Sequence, residues 1–247
     1  MRLRLDHLIL RAADPAGTLA ELSRRTGAPM LADVEDVGGV ASGIVRAGAL
    51  DIEVVRIGRE PPPRPRGYGL GFVADAGLRE VAADLRARGF PTSPAARGVA
   101  GEGAARRSWR ALQVKGLLPD PFPAPASRRP PGRLDRAVEA AADALSRIPA
   151  LARAATGRAG GSMVVVTEYE FDAGAWRQRA GRGPEVTAVH LGTGGHRAAW
   201  ERLPLAGDAP LHLHDDGPSG ITRVVLAGGD WPAPQVFTVG DVAFELS

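Results

Sequence analysis

The chain has 247 residues, 44% hydrophobic and 24% charged, with no cysteine. At this length folding buries roughly 70 to 75% of the unfolded chain's surface, so a core forms without disulfides, and disordered or fibrous classes are excluded. Thiol nucleophiles and Cys-ligated metal or cluster sites are excluded with them. The formal charge is only +3, with 31 basic residues against 28 acidic ones, and Lys115 is the sole lysine. Interspersed arginines with so little net charge argue against an electrostatic nucleic-acid binder. The opening Met1-Arg2-Leu3-Arg4-Leu5-Asp6 lacks the apolar core of a signal peptide, and no run approaches the ~18 apolar residues of a spanning helix. The expectation is a soluble, cytoplasmic protein with no membrane and no nucleic-acid partner.

The first strand is predicted over residues 3–10, with Leu3, Leu5, His7 and Ile9 on one face because strand side chains alternate. Asp14-Pro15 follows as N-cap and first helical position, and a helix over 16–25 ends before Gly27. Apolar stretches at 39–47 and 50–57 flank Gly48 and read as a hairpin. The run Pro61-Pro62-Pro63-Arg64-Pro65-Arg66 cannot donate to a ladder and reads as an extended linker.

The same grammar then restarts. Residues 69–73 form a strand, Asp75 caps, and 78–88 form a helix with Leu78, Val81, Ala82 and Leu85 at helical spacing; 108–114 is a further strand. A Pro-rich stretch leads to a helix over 133–155, kinked at Pro149, which reads as an inserted helix or a bridge between halves, with packing as the expected role. Residues 163–171 form a β-branched strand, and Asp172 caps a short helix containing Trp176. The tail reads as a strand at 185–193, a helix at 195–203, and strands at 210–214, 220–227 and 236–246. Strand, helix and three strands stand at both ends of the chain.

A repeat fixes which positions are equivalent. His7 on the opening strand and Glu53 on the closing strand of the first unit find counterparts in His190 and Glu245 of the last. On the segments LDHLIL, LDIEVV, GLGFVADAGLREVAADLRARG and VAFEL, the chain resembles the vicinal oxygen chelate superfamily, and within it the glyoxalase-like domain proteins of the glyoxalase, bleomycin-resistance and dioxygenase fold. The resemblance implies an α+β fold in which repeated βαβββ modules form cupped mixed β-sheets with helices packed outside. It divides the chain into a first module at 1–60, a degenerate βαβ-type module at 67–118, a Pro-rich linker and inserted helix at 119–160, and a strand plus last module at 161–247.

The resemblance also implies a divalent metal (Zn, Fe, Mn, Ni or Co) held by His7, Glu53, His190 and Glu245, acting as a Lewis acid on adjacent substrate oxygens while Glu53 or Glu245 serves as base. Lyase, isomerase and dioxygenase chemistry all fit such a cup. The unit opening at Gly69 offers Tyr68 or Leu70 where a ligand would stand. The cup therefore pairs either the first and last units, which completes the four ligands, or the first two, which separates them. The second reading is a metal-free binding protein that sequesters a natural product or antibiotic, with Trp109, Trp176 and Tyr169 stacking on the ligand. Pairing of two copies as a homodimer is left open.

Arg106-Arg107-Ser108-Trp109-Arg110 reads as an exposed edge strand or as a clamp for a carboxylate or ring, which adds Arg107 to Trp109 and Tyr169 as substrate contacts. His212-Leu213-His214 puts two imidazoles on one strand face, as a rim hairpin or a second metal motif, and His196 reads as solvated. Gly192-Thr193-Gly194-Gly195 lacks the Lys and spacing of a phosphate loop.

Overall fold

The structure, a computed structural model, describes residues 1–37, 39–57, 61–118, 163–181 and 183–247. The inserted helix expected at 133–155 lies outside the described residues. Strand β1 (Leu3–Arg11) leads to α1 (Pro15–Thr26), whose N-cap Asp14 accepts the Gly17 N–H and whose end is set by Gly27 in the left-handed conformation. Then come β2 (Met30–Val37), β3 (Val40–Ala47) and β4 (Leu50–Arg56). The second unit runs β5 (Arg66–Ala74), α2 (Leu78–Ala87), β6 (Ala96–Ala100), β7 (Arg107–Val114) and β8 (Met163–Tyr169). After α3 (Ala173–Gln178) come β9 (Glu185–Gly192), α4 (Arg197–Trp200), β10 (Leu211–His214), β11 (Gly220–Ala227), β12 (Gln235–Val239) and β13 (Val242–Leu246).

Eight strands form one sheet in the order β2-β3-β4-β1-β5-β8-β7-β6. At its centre β1 is antiparallel to β5; β1 is parallel to β4, and β5 is parallel to β8. The cup therefore pairs the first two units, each ordered opening strand, closing strand and outer hairpin. The second unit takes its closing strand, β8, from beyond the insertion, whereas the sequence placed that strand at the head of the last unit. Only a ladder can show this, because the partner of β5 is separated from it by nearly a hundred residues.

The tail also departs from the expected repeat. Its last apolar stretch is a hairpin, β12 and β13, turned at Gly240 with φ 65°. The five-stranded sheet has the order β10-β9-β11-β13-β12, with β9 parallel to β10 and β11 parallel to β13. It is two shortened units paired through β9 and β11, not a copy of the first module. Its inner residues Val189, Leu191, Val224, Leu226 and Phe244 join Leu8, Leu10, Leu70 and Phe72 of the larger sheet in one continuous core. The opposite face of the larger sheet is left for the cup.

Candidate functional site

The cup encloses a cavity of about 1110 Å³ whose lining is drawn from the eight-stranded sheet and α3. Its apolar side is a separate cluster of Ile9, Val55, Ile57, Tyr68 and Val165. Its polar centre is His7 and Glu53. A bulge in β1 between Leu5 and His7, opposite β5, inserts Asp6 and lets two successive residues meet. His7 Nδ1 and Asp6 Oδ2 are 3.0 Å apart, and His7 Nε2 faces Glu53 Oε2 at 3.7 Å. Glu53 also accepts the Ser42 hydroxyl.

The wholly buried Asp6 is the hub behind this pair. The same Oδ2 accepts the Tyr169 hydroxyl at 2.6 Å and Arg177 Nη2 at 2.8 Å. Arg177 Nε continues to Asp51 Oδ2 at 2.7 Å. Burial pushes Asp6 toward its neutral form, but the hydrogen bond and charge of His7 and the guanidinium of Arg177 outweigh it and hold the carboxyl well below the usual range. Burial likewise disfavours a charged His7, yet the bond to Asp6 and the negative field of Asp6, Glu53 and Asp51 raise it above its ordinary value. Burial raises Asp51 despite Arg177, and burial with the Asp6 charge raises Tyr169, which stays a proton donor. An ionised Asp6 only accepts, so His7 donates Nδ1–H to it, and in the imidazolium form that the raised value favours Nε2–H also faces Glu53 and the cavity.

The other residues singled out in the sequence fall in two places. Trp109, Tyr169 and Arg107 line the same cavity as His7 and Glu53. The Tyr169 hydroxyl is committed to Asp6, so that residue offers its ring, which meets Phe171 edge-on at 5.4 Å, and Phe171 meets Trp176 at 5.7 Å. Arg107 lies over the Trp176 ring at 5.0 Å.

His190 and Glu245 lie on the smaller sheet and do not line the cavity. His190 Nδ1 is 2.8 Å from His214 Nε2, and its ring is stacked on those of both His212 and His214. Glu245 is 3.6 Å from Arg223. Register explains the partnership. His7 stands opposite Asp51 and Ile9 opposite Glu53, while His190 stands opposite His212 and Gly192 opposite His214. His214 therefore holds the place in its sheet that Glu53 holds in the cup.

The four expected ligands accordingly do not form one metal shell. At the cup His7 has one nitrogen bonded to Asp6 and the other turned to Glu53, and the residue across from it on β5 is Gly71, which has no donor. Among the described residues no group of three or more His, Cys, Asp or Glu side chains is placed to hold a metal ion. Asp6, Asp51 and Arg177 were not singled out in the sequence. The Asp-His dipeptide was on view, but alternation assigned its members to opposite faces until the bulge brought them together.

No protein-family model matches the sequence, and no curated protein matches it. Solved structures do. A hypothetical protein from Staphylococcus aureus superposes with a TM-score of 0.65 at 8% identity, over 99% of this chain and 99% of that one. Homoprotocatechuate 2,3-dioxygenase from Arthrobacter globiformis gives 0.51 at 10% identity, over 99% of this chain and 79% of the other. A catechol 2,3-dioxygenase gives 0.51 at 10% identity, over 100% and 93%. The chain shares its fold with these two dioxygenases. At these identities the likeness is one of fold: paired units, a cupped sheet and helices outside it. No helix among the described residues is long and apolar enough to cross a membrane.

Proposed function

We propose that this chain is a small-molecule enzyme of the vicinal oxygen chelate fold that moves a proton at the His7–Glu53 pair, with no metal held by its side chains. The observation that carries this reading is the approach of His7 Nε2 to Glu53 Oε2 at 3.7 Å inside the cavity, with Asp6 fixed behind the imidazole. A base and a hydrogen-bond donor side by side suit isomerase or lyase chemistry beside a carbonyl. Glu53 takes the proton from the carbon, the C–H electron pair becomes the enolate double bond, and His7 Nε2–H donates to the enolate oxygen. Return of the proton from Glu53 to a different face or carbon completes an isomerisation; loss of a β-substituent completes an elimination.

The test is exchange of α-protons in D2O, followed by proton NMR, across a panel of aryl ketones and aryl 2-oxoacids. Exchange by the wild type that falls by about 10² to 10⁴ in Glu53→Gln, with binding retained, is the expected result. A panel that undergoes no catalysed exchange, or exchange unchanged in Glu53→Gln, overturns the reading.

The second reading, a protein that sequesters its ligand, is favoured by the aromatic wall of Trp109, Phe171 and Trp176. Tight binding without exchange selects it.

A further inference from the structure

Strands β2 and β6 end the strand order of the eight-stranded sheet among the described residues, and Glu35 on β2 reaches across the rim between them. Its Oε2 accepts the Gly101 N–H at 3.0 Å, and its Oε1 accepts from Arg107 Nη2 at 3.0 Å. A carboxylate held by a guanidinium and a backbone N–H occupies what is, chemically, a carboxylate-binding site; here the chain supplies the occupant.

The two sides of this contact are unequal. The Arg107 side chain is only 14% exposed and is pinned against the Trp176 ring, whereas the Glu35 side chain is 39% exposed. Glu35 sits on an edge strand whose ladder to β3 slips between Met30 and Ala32 and again between Ala32 and Glu35. It meets the guanidinium through Nη2 and not through the two-bonded fork that guanidinium and carboxylate favour. Turning Glu35 into water gives up a partly exposed ion pair, a weak interaction, while leaving Arg107 without an anion strands a mostly covered cation. The arrangement therefore favours exchange of one carboxylate for another. The neighbouring rim pair is already closed, since Arg97 grips Glu170 through Nε at 2.9 Å and Nη2 at 2.6 Å.

We propose that Arg107 and the Gly101 N–H form a carboxylate subsite of the cup, occupied by Glu35 in the free protein and by the ligand's carboxylate when it binds. The ligand class is then a carboxylic acid with an aromatic or apolar body. Its carboxylate lies at the rim against Arg107, and its body lies along Trp176 and Trp109. This inference rests on the reading of the cup as a small-molecule site and adds to it the end of the ligand that faces away from His7.

The experiment is titration of 2-naphthoate and of 2-naphthylmethanol, followed by tryptophan fluorescence and calorimetry, into wild type, Glu35→Gln, Arg107→Gln and Arg107→Lys. Glu35→Gln removes the competitor and is expected to tighten 2-naphthoate about tenfold while leaving the alcohol within about twofold. Arg107→Gln is expected to abolish the preference for the acid, and Arg107→Lys to restore part of it. Retained alcohol binding shows that each variant is folded. Equal affinity for acid and alcohol in Glu35→Gln, or binding of neither probe, overturns the subsite. Glu53→Gln separates the two proposals: proton exchange unaffected by it sinks the acid–base reading and leaves naphthoate binding as the judge of this one.

Discussion

Gly71 stands opposite His7 in the β1–β5 ladder, and the imidazole fills the space that a side chain on residue 71 would need. One unit supplies the ring and the other supplies the hole that receives it. A methyl group there overlaps ring atoms, and the ring cannot retreat without breaking its bond to Asp6.

Gly71→Ala is therefore expected to cost about 1 to 3 kcal/mol, the range for overpacking, and to release His7 from Asp6. Chemical denaturation and the NMR signals of the His7 ring measure both effects. Unchanged stability with an unchanged His7 environment would contradict the packing described.

His7 titrates above its ordinary value near 6.5 in the folded chain. Folded protein thus binds more protons than unfolded protein between 6.5 and that raised value. The His7 contribution to stability is complete below 6.5 and is lost as pH rises through the folded value. An NMR titration placing His7 at or below 6.5 rejects this, and His7→Gln should remove the alkaline-side loss.

His190 behaves oppositely. Its own burial, then the positive charge of Arg223 and the neighbouring His212 and His214, lower it below 6.5. Unfolded protein then binds the extra proton, so stability is lost as pH falls through 6.5 toward the lower folded value. Melting curves between pH 7 and 5 should fall less steeply in His190→Gln; identical slopes refute the assignment.

Arg177→Met leaves Asp6 and Asp51 buried without their shared cation. A loss of about 3 to 5 kcal/mol is expected, as for other broken buried ion pairs. Tyr169→Phe, which removes only one of three bonds to Asp6 Oδ2, should cost about 1 to 2 kcal/mol. Equal losses in the two variants would count against Arg177 as the main counter-charge.

Dialysis against a chelator is expected to leave melting temperature and cup binding unchanged, because among the described residues no third ligand joins His7 and Glu53 across the cup. A fall in either that divalent ions restore in wild type but not in His7→Gln returns the metal reading.

Local rules carried much of the fold. The Asp14 cap, the Gly27 stop, the hairpin around Gly48 and the helix from Leu78 stand where the sequence placed them. The edge strands β2 and β6 did not stand out. Each pairs on one side only, and neither shows a regular alternation of buried and exposed residues. The four-residue α4 is shorter than the 195–203 helix expected there, and its Trp200 is fixed by packing and by its indole N–H bond to the Leu117 carbonyl.

Sequence alone determined that the opening strand carries His7 and the strand after Gly48 carries Glu53, because alternation and turn chemistry act over a few residues. Which units face each other was decided only by tertiary structure. Pairing of β1 with β5 and of β5 with β8 depends on contacts between distant segments, and no local pattern encodes a ladder partner. The same holds for Arg177: one arginine among many in the sequence, it becomes the counter-charge of the site only when α3 brings it within reach of Asp6.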